Sequence, residues 1–333
     1  GDAYGALPTP TRDSHHFSGW YTERVGGTKV DETTVVTELE DHTLYAHWTY
    51  YHKHCICGGT FNHTHKNVEW QAWNGKSEIT YEGEWIPISA TGSLWYKVAY
   101  VYLTDDVTAN LTISGRTILH LCLNGHSFTS ADPSKPAITV AGTEKAYVAK
   151  LDLCDCTDTG TLGGASVSGG SVHATWAEIN LYGGTLTGNN ATGNGGAVYL
   201  SNSSFTMHGG AISNNTASNG GGIYAGSEGE TVNINGGIIS GNRATNGGGI
   251  YNGGTLVLPS TAVIMNNSAH QTGGGICNAG TVTIPVGVKL YNNHSEQAGD
   301  DLYNRNGANA TLTDVGDMWV LDDCDHLIDG WYD

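Results

Sequence analysis

The sequence predicts an all-β protein whose main part is a parallel β-helix, a solenoid with coils of about 26 residues. The first observation is a tyrosine column that recurs at spacings of 25, 27, 26 and 26 residues between positions 199 and 303. The second is an in-phase column of Leu or Ile, followed three residues later by an asparagine. The third is an alternation of apolar and polar residues that predicts three short strands per coil. A fixed period of this length indicates a solenoid, in which each coil covers the apolar face of the next.

Two polar columns set the register of these coils. In a stack of parallel strands, identical asparagines at one turn can bond to one another through their side-chain amides. The asparagine column comprises Asn189, Asn215, Asn242, Asn267 and Asn293. Each member of the tyrosine column follows the only large apolar residue of its strand, so we expect this column to point outward. The outward column comprises Tyr199, Tyr224, Tyr251, Cys277 and Tyr303.

The composition limits the possible functions. The chain has 32 acidic and 14 basic residues, which gives a net charge of −18. Nucleic acids and anionic membrane surfaces repel such a chain, so neither is an expected partner. No run approaches 18 apolar residues, so direct membrane insertion is not expected either. With no signal peptide or wall anchor visible, we interpret the chain as a piece of a longer secreted protein at the bacterial cell surface.

The N-terminal segment, residues 1–48, forms a module of its own. It contains the phrases YGALPTPTR, FSGWYT, GGTKV and TLYAHW between positions 4 and 48. These phrases closely resemble the Listeria–Bacteroides (internalin B-type) repeat. The resemblance implies a small β-grasp-like module of a bacterial surface protein, used as a spacer or as an adhesive unit.

The next segment, residues 49–85, is rich in cysteine and histidine. Thiolates and imidazoles that lie close together suit a tetrahedral zinc ion, so we expect a structural zinc site here. The candidate ligands are Cys55, Cys57, His63 and His65, with His52 and His54 as alternates. The alternative is an exposed histidine-rich loop whose two cysteines are free or joined by a disulfide.

The C-terminal segment, residues 311–333, is acidic and contains Trp319 and Trp331. Aromatic side chains at this position would cover the open end of a solenoid core, as such folds require. The acidic residues lack the spacing of an EF-hand loop, so calcium is not an expected ligand. We therefore predict a solvated acidic cap.

The β-helix itself is expected to span residues 86–310. The phrase LCLNGH at positions 121–126 resembles the entry coil of right-handed, pectin-lyase-like β-helix proteins, and the later coils resemble those of polymorphic outer membrane protein-type adhesins. The resemblance implies a right-handed solenoid. Alignment of two early strands places Cys122 beside Cys154 on neighbouring coils. Adjacent strands lie about 4.8 Å apart, within the usual range for a disulfide, so these two residues are a candidate pair.

An enzyme is one possible function, because pectin-lyase-like folds include polysaccharide lyases and glycosidases. A glycosidase needs two carboxylates roughly 5–9.5 Å apart across a cleft. Residues 159–295 contain only three acidic residues, Glu178, Glu228 and Glu230, and the last two share one turn. The remaining candidates, Asp152, Asp155 and Asp158, lie at the end of a single coil. The sequence therefore predicts a protein without catalytic residues.

Binding is the function that the sequence favours. An outward row of Tyr199, Tyr224, Tyr251 and Tyr303 is an amphipathic contact surface, with flat faces for sugar rings and hydroxyls at the tips. The adjacent turn, with Glu228 and Glu230, would supply a polar rim. Together with the N-terminal resemblance, this predicts an adhesin-like module that engages a host glycan, a mucosal glycoprotein or an immunoglobulin. The residues do not choose among these partners.

Two alternatives give the tyrosines no binding role. In the first, the solenoid is a stalk that holds another domain away from the cell wall. In the second, which is compatible with the first, the stacked tyrosines only shield the glycine turns next to them. Mutation of the tyrosines separates binding from shielding. A large loss of stability is expected only if the tyrosines shield the turns.

Overall fold

The computed structural model describes residues 2–12, 15–24, 26–37, 41–50, 70–89 and 92–313. The chain divides into two compact units, residues 1–53 and 54–333. All regular structure in the described ranges is β-strand. A search of the same residues finds no helix long and apolar enough to cross a membrane.

The N-terminal unit is a three-stranded antiparallel sheet with the longest strand in the centre. Its strands are His15–Tyr21, Lys29–Val30 and Tyr45–Tyr50. Phe17 packs edge-on against Trp20 and Trp48, at ring centroid distances of 5.5 Å for both pairs. These contacts join the central strand to its neighbour, and the unit agrees with the small β module predicted for residues 1–48.

The second unit is the predicted parallel β-helix, and sheet I is its longest face. Sheet I begins with a hairpin, Glu82–Ser89 against Gly92–Leu103, and continues as a parallel ladder. Gln71–Trp73 also pairs in parallel with this hairpin, so the sheet starts before residue 86. The other strands of sheet I are Thr117–Cys122, Ala149–Cys154, Ala177–Leu181, Ser204–Met207, Thr231–Ile234, Thr255–Val257, Thr281–Pro285 and Asn309–Thr313.

Sheets II and III complete each coil, and each has eight parallel strands. Sheet II comprises Val107–Thr108, Ser127–Thr129, Thr161–Gly163, Thr185–Thr187, Ala211–Ser213, Ile238–Ser240, Val263–Met265 and Lys289–Tyr291. Sheet III comprises Leu111–Ser114, Ile138–Ala141, Val172–Thr175, Val198–Ser201, Ile223–Ala225, Ile250–Asn252, Ile276–Asn278 and Leu302–Asn304. Their inward residues form one continuous core that includes Phe128 and Phe205, both at most 1% exposed.

The asparagine column lies at the corner after sheet II and is buried, as predicted. The side-chain amide of each of the first four members donates to the side-chain oxygen of the asparagine one coil later, at 2.7–3.0 Å. The residue before each member has a positive φ of 53–71°, a conformation that glycine and asparagine adopt most readily. Those preceding residues are Gly188, Asn214, Gly241, Asn266 and Asn292.

A fourth strand follows this corner in four coils, which the prediction of three strands per coil did not include. Sheet IV comprises Thr216–Asn219, Arg243–Asn246, Ser268–Thr272 and His294–Ser295. The asparagine bonds hold neighbouring coils in register, and the next residues are extended, so their backbones pair as well. The inward residue in three of these strands is a small one: Ala217, Ala244 or Ala269.

The last coil ends the asparagine ladder with a carboxylate. In the three preceding coils the position of Asp301 is a glycine, and a Cβ at Gly275 would lie 2.6 Å from the backbone oxygen of Asp301 in the next coil. Asp301 itself is 3% exposed, and its Oδ1 accepts hydrogen bonds from the side chain and backbone of Asn293, at 2.7 and 3.3 Å. Asp301 therefore supplies the acceptor that an asparagine of a further coil would otherwise provide.

Candidate functional site

The tyrosine column lies on the outer face of sheet III. Parallel register pairs Tyr199 with Tyr224, and Tyr224 with Tyr251, on three successive strands. The residues just before them, Val198, Ile223 and Ile250, are fully buried. The tyrosines are half-buried, so the predicted outward orientation is confirmed. Cys277 and Tyr303 continue the column on the next two strands.

The rings of this column stack on one another and form what we call the aromatic ladder: His173, Tyr199, Tyr224 and Tyr251. Their centroids lie 4.7, 5.4 and 5.2 Å apart in that order, with interplanar angles of 10–23°. The tyrosine pattern alone did not predict His173 as a member. His173 precedes Tyr199 by one repeat period, so the period could have revealed it.

This stacking corrects the expectation of exposed flat faces. Inside the ladder each ring face is covered by the next ring, so a ligand meets ring edges and phenol hydroxyls. At Tyr224 this packing raises the pKa of the phenol: burial has the largest effect, and the neighbouring Tyr251 and Tyr199 add to it. The ladder is thus a row of hydroxyls on an apolar support, and unpaired ring faces remain only at its ends.

The ladder stops at Cys277, a residue that is 1% exposed. The thiol lies 3.6 Å from the hydroxyl of Thr272, and burial raises its pKa, so the group is neutral. Arg305 reaches back toward the break, and its Nη1 donates to the hydroxyl of Tyr251 at 2.7 Å. The repeat pattern did not predict a role for Arg305, although this residue follows Tyr303 by only two positions.

The predicted polar rim is only half present. Glu230 is 3% exposed, and its carboxylate accepts hydrogen bonds from the backbone N–H groups of Asn202 and Ser227, at 3.3 and 3.1 Å. Burial raises the pKa of Glu230 despite these bonds. Glu230 therefore stabilises its own turn and is not available at the surface, which corrects its assignment to the rim. Glu228 is exposed and remains a candidate.

A second polar cluster lies on the outer face of sheet I, in the early coils. Nδ1 of His120 is 2.8 Å from a carboxylate oxygen of Asp152, and Asn180 donates to Asp152 at 2.8 Å. The ring of His120 stacks on Tyr100 at 4.2 Å. Asp155, a catalytic candidate in the sequence, is 1% exposed and accepts backbone N–H groups of the turns at positions 125 and 160. Its carboxylate thus stabilises these two turns.

The cysteines of sheet I are adjacent, as the alignment predicted. Cys122 and Cys154 are register partners on neighbouring strands, and both are buried as free thiols. The sulfur of Cys156 lies 3.2 Å from that of Cys122, so a third thiol competes for any disulfide. The Cys122–Cys154 disulfide stays a prediction, and Cys156 is a third neighbour that the strand alignment did not predict.

The zinc ligands predicted from the sequence, Cys55, Cys57, His63 and His65 with His52 and His54, lie outside the described residues. The same applies to residues 314–333, which hold most of the predicted acidic cap. Within the described ranges, no group of three or more His, Cys, Asp or Glu side chains is arranged to hold a metal ion. The structural zinc site therefore stays a prediction.

Comparison with known families locates one similarity. No curated protein matches the chain, and no solved structure matches it. The family model of the Listeria-Bacteroides repeat domain matches residues 1–47, the segment in which the sequence motifs indicated this repeat. A bacterial surface repeat followed by a β-helix fits an extracellular or surface location and an adhesin or stalk role.

Proposed function

We propose that the chain is a non-catalytic binding module of a bacterial surface protein, and that its aromatic ladder engages a host glycan or glycoprotein. The observation that carries this proposal is the ladder itself, in which half-buried aromatic rings stand in register on four successive strands. Aromatic residues are enriched at binding surfaces because they combine a large apolar area with a polar tip.

The spacing of the hydroxyls supports a polymeric partner. Ring centroids of the tyrosine rungs repeat at 5.2–5.4 Å along the axis, so an extended ligand lying on the ladder meets a donor or acceptor at each coil. Solenoid surfaces commonly bind extended partners in this way, because the repeat presents the same group many times. The scarcity of charge in residues 159–295 agrees with a neutral or hydroxyl-rich partner.

The second candidate function is a stalk. The observation that favours it is the position of Tyr224, whose ring lies over Gly226, where an added methyl group would collide with it. A ladder that only shields such turns would stabilise the coils without binding anything. A stalk also suits the asparagine ladder, since a continuous chain of buried hydrogen bonds stiffens the solenoid.

A double variant, Tyr224→Ser with Tyr251→Ser, separates the two functions. We expect it to lose binding to immobilised intestinal mucin or to immunoglobulin, measured in parallel, while its unfolding temperature stays within a few degrees of the parent. Tyr291→Ser is the matched control, because Tyr291 lies in sheet II and its loss leaves the ladder intact. A large loss of stability, with undiminished binding by the folded fraction, would contradict the binding role and support the stalk.

A further inference from the structure

Three cysteines lie close together where two early strands of sheet I end. Cys122 and Cys154 are the last residues of the strands Thr117–Cys122 and Ala149–Cys154, and they pair in register. Cys156 follows in the next turn, and its sulfur lies 3.2 Å from that of Cys122. The thiol of Cys154 interacts with both of the others. The three thiols therefore form one cluster, which the binding function proposed above does not use.

The turn that carries Cys156 is fixed by a buried carboxylate. Asp155 is 1% exposed, and it accepts hydrogen bonds from the backbone N–H groups of Gly125 and Gly160, both at 2.7 Å. Gly125 follows Cys122 by three residues in the preceding coil. The carboxylate that shapes the turn thus also binds the turn to the coil of Cys122, and this arrangement keeps the two sulfurs in contact.

The surroundings differ among the three thiols. Cys122 and Cys154 are fully buried, although they lie on the outer face of sheet I. The aromatic side chains packed against them are those of Trp70, Tyr102 and Tyr182. Burial raises the pKa of Cys154. A hydrogen bond with Cys154 lowers the pKa of Cys122, but the contact with Cys156 and burial raise it by more. Cys156 is partly exposed, so an external reagent reaches it first.

The geometry favours a bond from Cys122 to Cys156 over a bond to its register partner, Cys154. Side chains of register partners in parallel strands point the same way, so their Cβ atoms lie about as far apart as the strands, roughly 4.8 Å. A disulfide brings the two Cβ atoms to about 3.5–4.5 Å. Two strands of a packed sheet would have to approach each other to join Cys122 to Cys154. Cys156 lies beyond the strand, and its sulfur already contacts that of Cys122.

We propose that this cluster is a redox site that reacts with a small-molecule disulfide and forms a bond between Cys122 and Cys156. The thiolate of Cys156 attacks the external disulfide, which gives a mixed disulfide and releases one small thiol. Cys122 then loses its proton and attacks the sulfur of Cys156, which forms the protein disulfide and releases the second small thiol. Two protein thiols are thereby oxidised, and one external disulfide is reduced to two thiols.

Two features support this sequence of steps. The second step is intramolecular, so the contact between the two sulfurs offsets the scarcity of the Cys122 thiolate. An extracellular location suits the first step, because disulfides form and persist in oxidising environments. Cys154 remains a buried thiol in the oxidised protein.

The test incubates the reduced chain with oxidised glutathione, alkylates the remaining thiols after denaturation, and maps the linked peptides by mass spectrometry. The endoproteinase Asp-N cleaves before aspartate, so cleavage at Asp155 separates the two candidate partners of Cys122. Cys154 is then on peptide 152–154, and Cys156 is on peptide 155–157.

We expect the peptide of Cys156 to be linked to peptide 106–131, which contains Cys122, and the peptide of Cys154 to carry the alkylating group. The proposal would be overturned by a link between Cys122 and Cys154, by a link from Cys156 to any other cysteine, or by alkylation of all three thiols. A Cys156 that stays joined to glutathione would overturn it as well.

Three variants test the assigned roles. Cys156→Ser should slow the oxidation of Cys122 at least about tenfold, because the exposed thiol that reacts first is lost. Cys154→Ala should leave the link intact. Cys277→Ser is the matched control, because this buried thiol lies in sheet III, and it should oxidise like the parent. An unchanged rate in Cys156→Ser would show that Cys156 only packs in its turn, and would overturn the proposal.

Oxidation should also change stability. The bond joins residues 34 positions apart and so restricts the unfolded chain, which should raise the unfolding temperature of the parent by about 5 °C. The same treatment should not raise the unfolding temperature of Cys156→Ser. An equal rise in both proteins would mean that another pair of cysteines forms the stabilising bond, contrary to the proposal.

Discussion

Two ladders run along the same coils, and they differ in how far the residue type varies from one coil to the next. The asparagine ladder is unbroken from Asn189 to Asn293 and every member is at most 2% exposed. The aromatic ladder begins with a histidine, His173, and is interrupted at Cys277. Both ladders repeat once per coil, so the difference reflects their surroundings and not the period.

The reason is the difference in the free energy that is lost when a buried amide or a half-exposed ring is left without its neighbour. A buried amide that loses its partner cannot form a replacement hydrogen bond with water. Each break in the asparagine ladder therefore costs the desolvation free energy of the groups left unpaired. A half-exposed ring that loses its neighbour gains contact with solvent, which costs little. The outer column can therefore vary from coil to coil, and this freedom allows it to acquire a function. The following predictions test this contrast.

The largest effect is expected for Asn242→Ala. The side chain of Asn242 accepts from the backbone and the amide of Asn215, at 3.1 and 2.9 Å, and donates to Ile212 and Asn267, at 2.9 and 3.0 Å. Its removal leaves buried groups unpaired on both neighbouring coils, so we expect a loss of about 3 kcal/mol in the free energy of unfolding. Urea unfolding followed by circular dichroism measures it.

The matched control is Asn233→Ala. Asn233 is a half-buried, outward residue of sheet I whose amide makes one long contact, 3.4 Å, with Thr206. We expect this change to cost under about 0.5 kcal/mol, as is usual for surface positions. Equal unfolding midpoints for the two variants would mean that the buried ladder does not stabilise the coils.

A smaller effect is expected at the end of the ladder, for Asp301→Ala. Asn293 loses its acceptor there, at the side chain and the backbone N–H, so we expect a loss of about 2 kcal/mol in the free energy of unfolding. Asp301→Asn keeps a side-chain oxygen and should restore most of the stability. If Asp301→Asn were as unstable as Asp301→Ala, the aspartate would act through its charge and not as the terminal acceptor of the ladder.

The sequence predicted those features that repeat. The coil period, the inward position of the asparagines and the outward position of Tyr199, Tyr224 and Tyr251 all follow from periodicity and strand alternation. It did not predict the features that occur once. The burial of Glu230 depends on how one inserted turn folds back on Asn202, and the reach of Arg305 to Tyr251 depends on a side-chain path across two coils. Neither leaves a periodic signal.

The smallest effect concerns ionisation of the aromatic ladder. Burial, and then the adjacent phenols, raise the pKa of Tyr224 above its usual value near 10. Because the pKa in the folded protein lies above that in the unfolded chain, the stability contributed by the neutral phenol is complete below pH 10. It is lost as the pH rises through the folded-state value.

We therefore expect the unfolding midpoint of the parent protein to fall more steeply above pH 10 than that of Tyr224→Phe, which keeps the ring but cannot ionise. Absorbance at 295 nm during the same titration reports the phenol directly, as the difference between the two proteins. This expectation would be contradicted if the absorbance difference between the two proteins had the same midpoint pH as N-acetyltyrosinamide. It would show that Tyr224 is as well hydrated as a free phenol, and that the ladder does not exclude water from its rungs. The asparagine ladder has no ionisable member before Asp301, so it should be insensitive to the same change in pH.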